Sequence, residues 1–174
     1  MPQISHVPLT DEQQEIVDLL GQGGLPNVLL FDFVLNGEFN EIKAWVAVHH
    51  YGQLVGEFAT LNKFETAPRI LNDGRLATLT ARHDAPSEHR WTISSGGAST
   101  LATFTHSETN MLRGSTPITQ PIYITDGEII VLHAQKFTTG NSLRSIGDLR
   151  RYLENPHYFA NYTYTHLIKA RFSR

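Results

Sequence analysis

The chain has 174 residues, with 14 Lys and Arg against 17 Asp and Glu for a net charge of −3. That length suits one domain with its own core, and the slightly acidic balance excludes the basic footprint of a nucleic-acid binder. Cysteine is absent, which removes disulfides, thiolate nucleophiles and cysteine-ligated zinc together.

The opening residues, Met1-Pro2-Gln3-Ile4-Ser5-His6, carry neither a basic n-region nor an apolar h-region, so no signal peptide is expected. No apolar run approaches the ~20 residues of a membrane span. A cytoplasmic location is the default expectation. A helix is predicted over residues 10–20. Thr10 followed by Gln13 is a capping-box pattern, and Asp11 and Glu12 suit the positive end of the helix dipole. Ile16, Val17, Leu19 and Leu20 form its apolar stripe. Gly21, Gly23, Gly24 and Pro26 then end it in a hinge-like connection. Such a helix suits a lid over an opening or a cover for a sheet edge.

Residues 27–137 alternate apolar and polar side chains in short runs that stop at turn signals. These are Asn36-Gly37, Tyr51-Gly52, Asn72-Asp73-Gly74, Asp84-Ala85-Pro86, Gly96-Gly97 and Asp126-Gly127. Period two is the signature of a strand, and these dipeptides supply the positive φ that hairpins need. Strands are predicted at 28–35, 39–50, 54–61, 75–82, 90–94, 100–106, 121–125 and 128–137. In 39–50, Ile42, Ala44, Val46 and Val48 face one way and Trp45, Ala47 and His49 the other, so that strand should be covered on both faces. In 128–137, Ile130, Leu132 and Ala134 oppose Ile129, Val131, His133 and Phe137.

A C-terminal helix is predicted at 142–154, capped by Ser142 or Ser145 and ended by Asn155-Pro156. A closing strand over 160–172 sets Tyr162, Tyr164, His166, Ile168, Ala170 and Phe172 on one face. The whole reads as one mainly β domain: helix and hinge over 1–26, antiparallel core over 27–137, helix and closing strand over 138–174. The expected architecture is an antiparallel β-barrel or strongly curved β-sandwich of about eight to ten strands with two flanking helices.

Nine histidines in a chain without cysteine are the first chemical candidates. His49, His83, His106 and His133 lie in or at the ends of predicted strands, where a curved sheet could bring them together. Their spacing fits no metal motif, since His49 and His50 point to opposite faces and no His-x-His is followed by a spaced Glu. No metal and no cofactor are expected. Ser94-Ser95-Gly96-Gly97-Ala98-Ser99 is neither a nucleophile elbow nor a phosphate loop and reads as a hairpin. Trp45, Tyr51, Trp91, Tyr123, Tyr162 and Tyr164 offer apolar faces with polar tips, the usual lining of a small-molecule pocket.

The functional expectation is a small-molecule-binding protein, or a non-hydrolytic enzyme of cyclase or isomerase type, that orients an apolar or aromatic ligand in a barrel cavity. His106 and His133 are the candidate proton-transfer residues. Trp45, His49, Tyr162 and Tyr164 are the candidate ligand contacts. Two alternatives carry other predictions. One is a glycan- or protein-recognition sandwich with an exposed Trp91 and a shallow site formed by Asp84, Ser94, Ser95 and Asn110. The other is a self-assembling structural protein, and a homo-oligomer is left open.

Overall fold

His50 ends one strand and Gln53 begins the next, with only Tyr51 and Gly52 between them. Their φ angles of 48° and 81° are the two left-handed residues that a tight hairpin needs to match the twist of its strands. Gly96 and Gly97, at 53° and 85°, do the same between Ser95 and Ala98. Asn36-Gly37 and Gly127 also hold positive φ. The turn chemistry read from the sequence is thus realised at these points.

The structure is a computed structural model that describes residues 1–20, 27–66, 68–82, 88–108, 111–141, 143 and 148–174. The Gly21–Pro26 hinge, His83, the Asp84-Ala85-Pro86 turn, Asn110 and the two cap serines, Ser142 and Ser145, lie outside the described residues. In chain order the elements are β1 (Gln3–Val7), α1 (Asp11–Leu20), β2 (Asn27–Val34), β3 (Glu41–His50), β4 (Gln53–Phe64), β5 (Gly74–Arg82) and β6 (Glu88–Ser95). They continue as β7 (Ala98–Thr105), β8 (Leu112–Pro117), β9 (Ile122–Tyr123), β10 (Ile129–Thr138), α2 (Arg151–Glu154), a 3-10 turn (Pro156–Phe159) and β11 (Tyr164–Ser173).

The strands form two antiparallel sheets, ordered β7-β6-β5-β2-β1-β9 and β4-β3-β11-β10-β8. They face each other across a layer of apolar rings. Phe33 of β2 meets Phe172 of β11 at 5.5 Å, and Phe58 of β4 meets Trp91 of β6 at 6.0 Å. β3 and β10 are interior strands whose residues are buried on both faces over most of their length, as their double apolar alternation requires.

The architecture departs from expectation in four ways. The sheets do not close into a barrel, because among the described residues no ladder joins one to the other. On one side β4 bends toward β7 at a bulge where Ala59 takes φ 51°, and the Thr100 hydroxyl donates to the Ala59 carbonyl at 2.8 Å. On the other side Pro117 ends β8 and Pro121 precedes the two-residue β9. Proline has no N–H to give a ladder, so that side stays open. Second, there are eleven strands among the described residues. The unforeseen pair, β1 and β8, are short segments with too few apolar residues to show alternation. Third, the register of β10 shifts between Val131 and His133. Ile130 pairs with Ala170 and His133 with Ile168, so Ile130 and His133 share the inward face that simple alternation would split between them.

The fourth departure concerns the helices. Around α1 the capping box forms as the sequence predicts: Thr10 N donates to Gln13 Oε1 at 2.9 Å and Gln13 N to Thr10 Oγ1 at 3.2 Å. Yet no residue of α1 is buried, and Leu19 and Leu20 are 70% and 80% exposed. Of its apolar stripe only Val17 is half-buried. Within the span 142–154, the described residues are α-helical only over Arg151–Glu154. Asn155 is extended with ψ 95°, the conformation that a following proline imposes. β11 begins at Tyr164 rather than near residue 160 because the 3-10 turn occupies the space before it. Among the described residues no helix is long and apolar enough to cross a membrane.

Candidate functional site

The antiparallel register places Tyr164 directly opposite His50 on β3 and Phe137 on β10, and His166 opposite Val48 and Gln135. Directly paired residues share a face, so Tyr164, His166, His50, Phe137 and Gln135 all point toward the other sheet. From that sheet come His89 and Trp91 of β6 and, just past β7, His106. The result is a packed aromatic cluster. His106 stacks on Tyr164 at 4.0 Å with the rings 6° apart, and His50 stacks on Tyr164 at 4.5 Å and 21°. His89 lies 4.1 Å from His106, and Phe137 lies 4.7 Å from His106 and from His166.

Two polar sets flank this stack. Inside, His106 Nε2 and His166 Nε2 are 2.8 Å apart and buried, so one imidazole donates and the other accepts. Burial and the neighbouring imidazoles, His106 first, hold His166 well below the ordinary histidine range. Outside, Ser107 Oγ donates to Glu108 Oε2 at 2.6 Å and lies 2.8 Å from the Tyr164 hydroxyl. Serine has one proton, so the chain runs Tyr164 O–H to Ser107 Oγ–H to the carboxylate. The backbone N–H of Ser107 also donates to the Tyr164 oxygen at 3.1 Å. His50 Nε2 lies 3.3 Å from Glu108 Oε1, both side chains about one-third exposed. The Ser107 hydroxyl, and after it His50, hold the Glu108 carboxyl below its usual range.

This geometry limits the chemistry. Glu108 sits between Ser107 and His50, so the imidazole does not touch the serine hydroxyl and the set is not a serine-nucleophile relay. Tyr164 is joined to His106 by stacking, with its hydroxyl committed to Ser107, so the stack is no proton path into the core. The outer set is partly open to solvent at His50 and Glu108. The inner set is sealed.

The six residues singled out from the sequence do not meet at one point. His106 and Tyr164 are in direct contact. His133 is on the same inward face, further along β10, and burial followed by the charges of Arg113 and His6 pushes its imidazole down to about 3. Trp45 and His49 lie on the opposite face of β3. There His49 meets Phe159 at 4.6 Å, and burial with the Lys169 charge lowers it to about 4. Tyr162 precedes β11 and turns to Lys136, whose Nζ donates to its hydroxyl at 3.3 Å. Trp91, expected to be exposed in the recognition-module reading, is instead buried. His50, His89, Ser107, Glu108 and His166 are the members that sequence reasoning missed. Their signal was the Tyr-x-His alternation of β11, which pairs with His50 only once the strand register is known.

Among the described residues, no three His, Asp or Glu side chains meet in a geometry that would hold a metal ion. A cleft of about 820 Å³ lies beside the start of β10. Pro117, Ile118, Ile122, Ile130, Leu149 and Leu153 contribute its apolar surface, with Glu128, Asp148, Arg150 and Glu154 among its polar residues. None of the histidines lines it. Comparison with protein-family models, with curated proteins and with solved structures gives no match to this chain.

Proposed function

We propose that the protein binds a small molecule with a mainly apolar body and a polar end, seated in the cleft between β8, the start of β10 and α2. The observation that carries this reading is the cleft itself. Its volume of about 820 Å³ lies within the ~300–1,000 Å³ range of small-molecule sites, and such sites combine an apolar wall with a few polar groups. The proline-flanked segment from Pro117 to Pro121 forms one wall, and its prolines limit how far that wall can shift. The proposal is one of binding alone, because the imidazoles and the Glu108 set lie elsewhere.

Thermal unfolding in the presence of a panel of apolar and aromatic metabolites, followed by calorimetric titration of any hit, tests it. A ligand at 100 times its Kd stabilises by about 2.7 kcal/mol, a rise of roughly 5–10 °C for a chain of this size. Leu153→Arg, at a partly exposed cleft position, should abolish the shift without unfolding the protein. A panel without any saturable shift, or a hit that binds Leu153→Arg equally well, sinks the proposal.

A further inference from the structure

Lysine is scarce in this chain: Lys43, Lys63, Lys136 and Lys169 are the only ones. Lys43 sets its Nζ over the Trp45 ring at 4.9 Å, and Lys136, 2% exposed, donates to the Tyr162 hydroxyl. Lys63 lies half-buried beside the Gly96 turn. Lys169 differs from all three. By register it stands between Trp45 of β3 and Val131 of β10, and directly paired residues share a face. Both neighbours are buried, whereas Lys169 is half-buried. Among the described residues it makes no hydrogen bond and no ion pair. Its Nζ is not sealed from solvent, since the polar atoms buried without a partner do not include it.

The charged and titratable groups on the same face are Lys43 and His49 of β3, Glu57 of β4, Lys136 of β10 and Arg171 of β11. Asp148, Arg150 and Glu154 stand in the cleft beside Val131, and Tyr152 stacks on Phe159 over His49. Of these, Glu57 favours the ammonium through space. Burial outweighs it and lowers the amine from the ordinary lysine range.

We propose that Lys169 is a nucleophilic amine that forms a Schiff base with small aldehydes. A lysine that is partly desolvated, unpaired and still reached by solvent is the form in which this residue attacks carbonyl groups. The Nζ lone pair attacks the carbonyl carbon, and one amine proton passes to the carbonyl oxygen to give a carbinolamine. The C–O bond then breaks, the oxygen leaves as water with the second amine proton, and the C=N bond forms. Nothing is oxidised or reduced. Lys169 does not line the cleft of the proposed function, so the two readings stand or fall independently.

Propionaldehyde at limiting concentration, with sodium cyanoborohydride to fix the imine as a secondary amine, is the probe. Peptide mapping by mass spectrometry reads the rate at each lysine, and the N-terminal amine, reactive in any chain, is left out of the comparison. At pH 7.5 Lys169 should be labelled at least about threefold faster than Lys43 or Lys63, because lowering an amine enriches its reactive neutral form. The advantage should shrink toward pH 10, where ordinary lysines also lose their protons. It should disappear in guanidinium chloride, where burial is gone. Glu57→Gln, an exposed change, should speed the reaction at Lys169 further. Lys169→Met, which keeps an apolar stem, should remove that adduct and leave the other rates unchanged. The inference is overturned if Lys169 in the folded protein reacts no faster than Lys43 and Lys63, if the unfolded chain shows the same preference, or if Glu57→Gln slows it.

Discussion

Acidification should unfold this protein, and the buried imidazoles set where. His133 is 1% exposed and His166 1% exposed. Burial, reinforced by neighbouring cationic groups, pushes the first down to about 3 and the second well below the ordinary range. In the unfolded chain both return to about 6.5. Between the two values the unfolded state binds more protons, so stability is complete above about pH 6.5 and is lost as pH falls toward the folded values. A histidine held at about 3 contributes a slope of about 1.4 kcal/mol per pH unit, and His166 adds to it in the same direction. From pH 6 to 4.5 the loss from His133 is then on the order of 2 kcal/mol, against a total of about 5–15 kcal/mol for a typical domain. His49, lowered to about 4, pulls in the same direction. The assay is urea unfolding at half-unit steps from pH 7 to 4.5 in buffers free of acetate and phosphate, with His133→Leu in parallel. The parent should lose stability at least as steeply as this slope and take up at least one proton on unfolding near pH 5, and the variant should lose about 1.4 kcal/mol per pH unit of it. Stability that stays level within about 0.5 kcal/mol from pH 7 to 5 would refute the reasoning, since neutral buried imidazoles cannot avoid this linkage.

Other outcomes follow from single contacts. Tyr164→Phe keeps the stack on His106 but removes the hydroxyl bonded to Ser107, and should cost about 1–2 kcal/mol in urea unfolding. Tyr164→Ala, which empties the space between His50 and His106, should cost about 3–5 kcal/mol. Gly52 sits at φ +81° with the backbone of Ala160 3.0 Å from where a Cβ would stand, whereas Gly127 at φ +73° has nothing within 4 Å. Both alanine substitutions should lower the melting temperature, Gly52→Ala clearly more. Thr10→Ala should speed amide exchange over residues 11–20 with little change in global stability, because the capping box is lost but α1 buries nothing. The Arg75–Asp32 pair, bonded at 2.6 and 3.0 Å but nearly half exposed, should contribute less than about 1 kcal/mol in a double-mutant cycle and less still in high salt.

The local rules were legible because they act over a few residues. Thr10 with Gln13, Tyr51-Gly52 and Gly96-Gly97 each do what their neighbours in the chain require, and the two-faced burial of β3 follows from its composition. Legibility fell where a decision depended on one residue of register. His49 was favoured over His50 as a site residue, yet it is His50 that pairs with Tyr164, and nothing within β3 itself distinguishes them. On β10, the shift between Val131 and His133 leaves His133 with Phe137, as alternation has it, but brings Ile130 onto that face and turns Ile129 and Val131 off it. Of the candidate contacts, Trp45 and His49 fell on the opposite face from Tyr164, and Tyr162 left the strand altogether.

The sequence by itself determined that this is a β protein, where its hairpins turn, and that it has no cysteine for a disulfide or a thiolate. Those properties come from backbone sterics and side-chain identity, which are present in any short stretch of chain. Only the tertiary structure decided that the sheets stay open between β8 and β9, that His89, His106 and His166 pack into one buried cluster, and that no histidine lines the cleft beside β10. The reason is physical. Convergence of residues as far apart as 106 and 166 depends on strand order, bulges and which faces meet across the core, and period two is the same for every pairing that would satisfy it.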